Sequence, residues 1–260
     1  MTNPLLRIFV GWDSKEPIAF SVLAHSILAR ASIPISIIPL TLQSVGHTYT
    51  RKRGPMEATE FSMTRFLVPF LSNYEGHSVF MDCDMLCQVD IAELWLYILT
   101  NSDKAVLCCQ HDYVPKGAEK FEGHIQTAYP RKNWSSMMVF NNALCRQLTP
   151  EKVNTQSGMW LHRFSWLDEH SNMTDDGRAC MCDSLNSIGA LPLEWNWLVG
   201  EYEPKLDAKV LHYTLGGPWH GSEHNWFSAA EGDLWRDELA KMYGSRYAMV
   251  QSTHSYEIHR

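Results

Sequence analysis

Short apolar runs alternate along the chain with segments whose apolar residues recur at helical spacing. Leu5 to Val10 is a mostly apolar run that reads as a strand, and a turn then leads to Glu16-Pro17. Proline is tolerated in the first turn of a helix, and Ala19, Val22, Leu23 and Ile27 follow at helical spacing, so a helix is expected there. Ile35 to Leu40 is a second short, β-branched strand. Phe61 to Tyr74 reads as a helix that Pro69 bends or shortens. Val79-Phe80-Met81 is a third strand and stops at Asp82. Asp90 and Glu93 have the spacing of a capping box for a helix through Ala92, Leu94, Trp95 and Ile98, and Ala105 to Cys109 returns as a strand.

Strands that alternate with helices predict an α/β domain with a mostly parallel central sheet flanked by helices. Such sheets bind ligands beyond the carboxyl ends of their strands, which directs attention to Gly11–Asp13 and Asp82–Asp84. The second half is less regular. Ser136 to Phe140 and Lys209 to Tyr213 read as strands, Gly158 to Leu167 as a helix, and the polar stretch Asp168 to Ser187 as a surface insertion. The 260 residues fit one domain, with a nucleotide-binding half over 1–110 and an acceptor-side half over 111–260.

Composition narrows the function more than the fold. Apolar residues at 45% can build a core, and the first apolar stretch is too short to cross a membrane and lacks a small-residue cleavage site. No transmembrane segment is expected. A net charge of −7 opposes a phosphate backbone, so nucleic acid is not an expected partner, and Arg51, Lys52 and Arg53 read as a solvated loop. Seven cysteines, Cys83, Cys87, Cys108, Cys109, Cys145, Cys180 and Cys182, include no paired zinc-ribbon spacing, and a reducing cytoplasm is the expected location.

The sharpest chemical feature is Asp82-Cys83-Asp84 at the end of the third strand. Two carboxylates one residue apart can face one cation, and hard oxygen ligands suit Mg²⁺ or Mn²⁺ bridging to a diphosphate. An isolated pair of this kind is as readily a solvated turn. Its flanks add weight: Phe61-Ser-Met-Thr-Arg65-Phe precedes it, DIAELW follows, and HYTLGGPW begins at His212.

Together these segments resemble glycosyltransferases of the GT-A fold, of the family-eight type that includes glycogenin and lipopolysaccharide sugar transferases. The resemblance runs from about Ile8 to Trp219. It implies a single Rossmann-like domain and retaining transfer from a nucleotide diphosphate sugar, UDP by preference, to an acceptor that the sequence does not identify. It implies a metal held by Asp82, Asp84 and His212, with Arg65 facing the donor. Val10, Gly11, Trp12 and Asp13 would lie at the nucleotide base, Cys83 against the ribose, and Gly216, Gly217 and Trp219 at the phosphates and sugar.

The sequence departs from that family in three places. Gly217 stands where the family has a lysine before its Pro-Trp, leaving His220 or Lys209 as substitutes. Trp160-Leu-His162-Arg163-Phe replaces a polar pair near the reacting sugar, which makes His162 the candidate there. Asn141 and Asn142 suit a turn as well as a sugar contact. His220-Gly-Ser-Glu223-His224 also matches the inverted zinc-peptidase pattern, but Gly216, Gly217, Pro218 and Gly221 oppose the helix that it requires. Two other readings stay open: a sugar nucleotidyltransferase of similar fold and a non-catalytic sugar-binding protein.

Overall fold

A computed structural model describes residues 5–54, 57–112, 130–167, 187–220 and 227–244. The Asp168–Ser187 insertion, Cys180, Cys182, Trp226 and the Glu223-His224 half of the peptidase-like pattern lie outside them, except for Ser187.

A six-stranded sheet forms the centre, in the order β2-β1-β3-β6-β5-β7. Its members are β1 (Leu6–Gly11), β2 (Ile35–Leu40), β3 (His77–Met81), β5 (Val106–Cys109), β6 (Met137–Asn141) and β7 (Ile188–Leu191). The β1–β2, β1–β3 and β5–β7 pairings are parallel; β6 runs antiparallel to both β3 and β5. The expected α/β fold with a mostly parallel sheet is therefore present, with one reversed strand. Pro39 lacks the N–H of an inner strand, and β2 accordingly lies at the edge.

The expected helix after Glu16 is α1 (Pro17–Leu28), with Pro17 at its start and Ala19, Val22, Leu23 and Ile27 buried. Phe61–Tyr74 is shorter than a continuous helix: a 3₁₀ turn over Thr64–Leu67 passes into the single turn α3 (Val68–Leu71), with Pro69 in its first turn. Before it comes α2 (Leu42–Val45). Asp90 caps its helix by accepting from the Ala92 N–H at 2.9 Å, and a 3₁₀ turn leads into α4 (Leu94–Thr100). Glu93 does not complete a capping box, because its carboxylate pairs with Lys209 instead.

Three features change the sequence reading. After Asp84 the chain continues as a short strand, β4 (Met85–Cys87). β9 (Val210–His212) does not join the parallel sheet. It lies in a second sheet of order β4-β9-β8, antiparallel to β4 and parallel to β8 (Trp197–Leu198). Gly158–Leu167 divides into α6 (Gly158–His162) and a 3₁₀ turn, preceded by α5 (Pro150–Thr155).

Alternation along β9 turns Leu211 toward a small apolar cluster with Val22, Leu86, Tyr213 and Trp235, while Val210 joins the main core. The helix α7 (Ala229–Tyr243) closes that cluster and starts at a capping box between Ser228 and Glu231. Glu238 of α7 is buried and accepts from Arg30 Nη2 at 2.8 Å and pairs with His25 Nδ1 at 2.7 Å, fastening α7 to α1. Both helices thus pack against the second sheet, with Val22 of α1 and Trp235 of α7 in one apolar cluster with Leu86 and Leu211.

Candidate active site

Two strand pairings bring the acidic pair and the distant histidine together. At the end of β3 the Asp82 N–H donates to the Ser136 carbonyl at 2.9 Å, so the start of β6 lies against the first aspartate. Beyond it Met85 of β4 is paired with His212 of β9, and the Tyr213 N–H donates to the Asp84 carbonyl at 2.9 Å. One ligand atom each from Asp82, Asp84 and His212 therefore falls within 4.8 Å of the other two. Bonds of about 2.1 Å to one cation place ligand atoms about 3.0 Å apart at right angles and about 4.2 Å apart across the ion. Two carboxylate oxygens and one imidazole nitrogen form a donor set for Mn²⁺ or Mg²⁺, so the residues fit the ion that the fold implies.

The guanidinium of Arg65 braces this cluster from below. Its Nη1 lies 2.8 Å from Asp82 Oδ1 and also donates to the Ser135 carbonyl at 2.8 Å, while Nε donates to the Phe61 carbonyl at 3.3 Å. The rings of Phe61 and Phe80 cover its faces, 5.3 and 4.9 Å from the guanidinium carbon. Arg65 is only 6% exposed, so this ion pair is built into the core of the site.

A cavity of about 370 Å³ opens over these groups. Of the residues singled out in the sequence, Asp13, Arg65, Asp82, Asp84, His162, His212 and Gly216 line it. Asp13 organises the rim: its two oxygens accept from the N–H groups of Lys15 at 3.0 Å and Glu60 at 3.1 Å, joining the end of β1 to the segment before Arg65.

The other expected donor contacts lie elsewhere. Val10 is fully buried in β1, and Gly11 lies under Phe61, where an added Cβ would meet the ring at 2.5 Å. Trp12 packs edge-on against Phe20, and Cys83 is fully buried, with its thiol directed to Glu16 Oε2 at 3.7 Å. Gly217 lies under the Trp219 ring, which would be 2.1 Å from a Cβ there. Trp219 itself packs on Tyr213 and Trp235, and its indole N–H donates to Glu16 Oε1 at 3.1 Å. None of these six side chains or glycines lines the cavity. Of the two substitutes for the missing lysine, Lys209 pairs with Glu93 at the far end of β9, and His220 Nε2 lies 2.7 Å from Glu16 Oε1. Asn142 is fully buried and donates to the Glu75 carbonyl and Ser78 Oγ; Asn141 donates to the Ser102 carbonyl. Both asparagines tie loops together.

Four participants were not legible in the sequence: Glu16, Asn133, Ser136 and Asn196. Glu16 ties the Pro218–His220 turn to the start of α1, and Asn196 is hydrogen-bonded to His212. Neither has a motif of its own, because each acts on a partner at least sixteen residues away.

Two histidines near the site are held neutral. Burial, with a smaller contribution from the neighbouring His212, lowers His111 to about 3, and its Nδ1 lies 2.9 Å from the Tyr202 hydroxyl. Burial, then the charges of Arg65 and Arg51, lower His162 to about 3, and its Nδ1 lies 2.8 Å from Ser135 Oγ. His162 is thus a hydrogen-bonding group in the cavity, not a proton carrier at neutral pH.

In the unfolded chain these histidines titrate near 6.5. Between about 6.5 and about 3 the unfolded state binds protons that the folded state refuses, so stability is full above the unfolded value and falls with pH. The expected slope approaches about 1.4 kcal/mol per pH unit for His111, which is only 5% exposed, and is smaller for His162, one edge of which meets the cavity. Urea unfolding at about pH 7, 6 and 5 checks this, and His111→Gln should flatten the slope. Equal stability at all three values would contradict it.

The sheet order, the reversed β6 and an acidic pair after β3 facing a histidine across a second sheet define the class: this is a GT-A glycosyltransferase fold. The chain superposes on the bifunctional glycosyltransferase WbbM with a TM-score of 0.53 at 15% identity, covering 94% of this chain and 52% of that one. It matches apo GlyE of Streptococcus pneumoniae at 0.51 and 11% identity, covering 97% and 63%. It matches the galactosyltransferase LgtC, in complex with donor and acceptor sugar analogs, at 0.50 and 13% identity, covering 89% and 94%. The chain thus spans roughly half to three-fifths of WbbM and GlyE. No family model matches it. Protein CDI of Arabidopsis thaliana is 43% identical over 242 residues, 90% of this chain and 85% of that protein. The chain belongs to the family of Protein CDI.

Proposed function

We propose that this protein is a metal-dependent glycosyltransferase that moves a sugar from a nucleoside diphosphate, UDP by preference, to a hydroxyl acceptor with retention of configuration. The observation that carries the reading is the convergence of Asp82, Asp84 and His212 on the wall of a ligand-sized cavity, in a fold shared with sugar transferases. LgtC, described with donor and acceptor sugar analogs, shows that the shared fold holds both kinds of ligand in one protein.

A divalent cation held there supplies positive charge beside the departing diphosphate, where negative charge grows during transfer. The chain's own residues do the remaining work. Arg65 fixes the Asp82 carboxylate, so that little reorganisation is left for the moment of reaction. His162, neutral and hydrogen-bonded to Ser135 Oγ and to the Ser62 backbone, fixes the cavity wall beside Arg65 without exchanging a proton. Asp13 shapes the rim at the end of β1, where the nucleotide enters. The five described cysteines are free and buried, which accords with a cytoplasmic location. No helix among the described residues is long and apolar enough to cross a membrane.

A panel of nucleotide sugars with Mn²⁺ tests the reading through thermal shift and release of UDP or GDP. At a free ligand concentration of about 100 Kd the correct donor should add about 2.7 kcal/mol to stability, and EDTA should remove that gain. Release of nucleotide with a sugar acceptor present separates transfer from mere binding. If no nucleotide sugar stabilises the protein with Mn²⁺, the reading fails.

A further inference from the structure

The imidazole of a metal-ligating histidine must present a bare nitrogen, and the hydrogen bond at its other nitrogen decides which one is bare. His212 is 1% exposed, and its two nitrogens face different partners. Nε2 points to Asp84 Oδ1 at 3.3 Å, on the side of the proposed cation, and Nδ1 lies 2.8 Å from Asn196 Oδ1.

The orientation of the Asn196 amide follows from its other end. Nδ2 lies 3.3 Å from the Asn133 carbonyl and 2.8 Å from Ser136 Oγ. A carbonyl can only accept. Ser136 Oγ already gives its own proton to that same Asn133 carbonyl at 2.7 Å, so it too accepts from the amide. Two acceptors require the NH₂ group at that end, which leaves the amide oxygen against the ring. An amide oxygen cannot donate, so Nδ1 of His212 carries a proton, and in the neutral ring, the form that ligates a cation, the lone pair is therefore on Nε2 beside Asp84.

We infer that Asn196 is a positioning residue of the metal centre, holding the neutral His212 ring in the Nδ1–H tautomer so that Nε2 is the nitrogen presented to the cation. The inference rests on the metal-site reading above. The local fold supports it: Asn196 is fully buried and ends a 3₁₀ turn (Leu193–Asn196) that runs directly into β8. Leu198 of β8 pairs with His212 in parallel register, which fixes the amide and the ring relative to each other. The same network reaches the first aspartate, because the Ser136 carbonyl accepts the Asp82 N–H at 2.9 Å. Aspartate at 196 would keep an acceptor for Nδ1 but oppose the Asn133 carbonyl; leucine would supply no acceptor at all.

The first experiment needs no variant. Nitrogen-resolved NMR of the metal-free full chain at about pH 8, where an ordinary histidine is neutral, reads the His212 ring, assigned by the signals lost in His212→Gln. Nδ1 should carry a proton; an unprotonated Nδ1 overturns the inference. The second is a Mn²⁺ titration followed by the EPR signal of the free ion. Asn196→Leu should weaken Mn²⁺ by about 10- to 100-fold, and Asn196→Asp should recover most of that loss. Equal Mn²⁺ affinity in wild type and a folded Asn196→Leu also overturns it. If Asn196→Leu does not fold, the wild-type tautomer decides. Wild type that binds no Mn²⁺ while keeping the Nδ1 proton would instead remove the functional reading and leave the tautomer assignment intact.

Discussion

Asp84→Asn is expected to weaken Mn²⁺-dependent UDP binding by at least about 100-fold, roughly 2.7 kcal/mol, and to leave folding nearly unchanged. The substitution keeps the shape of the side chain and removes its charge. The backbone carbonyl of Asp84, which accepts the Tyr213 N–H and holds β4 to β9, is untouched. The carboxylate itself faces the cavity and His212, so its loss falls on the ligand set and not on the packing. Calorimetric titration of Mn²⁺ and UDP into both proteins, with a thermal melt of each, measures the two effects separately. Wild-type affinity in the variant, or full turnover in excess EDTA, would refute the metal assignment.

The second large effect is expected at Arg65. Were Arg65–Asp82 a surface pair, Arg65→Ala would cost well under about 1 kcal/mol. The structure places the guanidinium in the interior, stacked between Phe61 and Phe80 and hydrogen-bonded to two carbonyls as well as to Asp82. Deleting one partner of a buried ion pair costs about 3–5 kcal/mol, and the access of Asp82 to the cavity should reduce this to about 2–4 kcal/mol. Sugar transfer should also slow by tenfold or more, about 1.4 kcal/mol of transition-state stabilisation. Arg65→Lys keeps the charge but not the fork whose Nη1 serves Asp82 and the Ser135 carbonyl while Nε reaches the Phe61 carbonyl, so its stability should fall between the two. Urea unfolding of the metal-free proteins provides the stability values. A loss below about 0.5 kcal/mol for Arg65→Ala would mean that the pair behaves as an exposed one.

Much of the first half was legible because its signals are local. The apolar run of β1, the proline at the start of α1 and the abrupt end of β3 at Asp82 depend on residues close in sequence, and the structure has all three. Pro69 likewise announced a shortened helix, and Arg65 stands just before it in a 3₁₀ turn. β7, β8, α5 and α7 went unread because short strands and a half-exposed helix carry weak periodicity. The reversal of β6 was equally hidden, since strand direction is set by the path of the intervening chain.

For the site, the sequence by itself determined which chemistry was on offer: an Asp-x-Asp pair at a strand end, an upstream arginine and a histidine opening a glycine-rich segment. It did not determine which neighbours reach the cavity. Val10, Cys83 and Trp219 stand beside the right motifs, but strand alternation and packing turn them into the core or onto other aromatics. Only the tertiary structure decided that β9 leaves the main sheet and pairs with β4, placing His212 against Asp84 across 128 residues of chain. Only the tertiary structure likewise set the Asn196 amide against the Nδ1 of His212. A residue type specifies what a group can donate, accept or ligate; its partner is chosen by strand pairings and buried hydrogen bonds between segments far apart in sequence, and no local pattern records them.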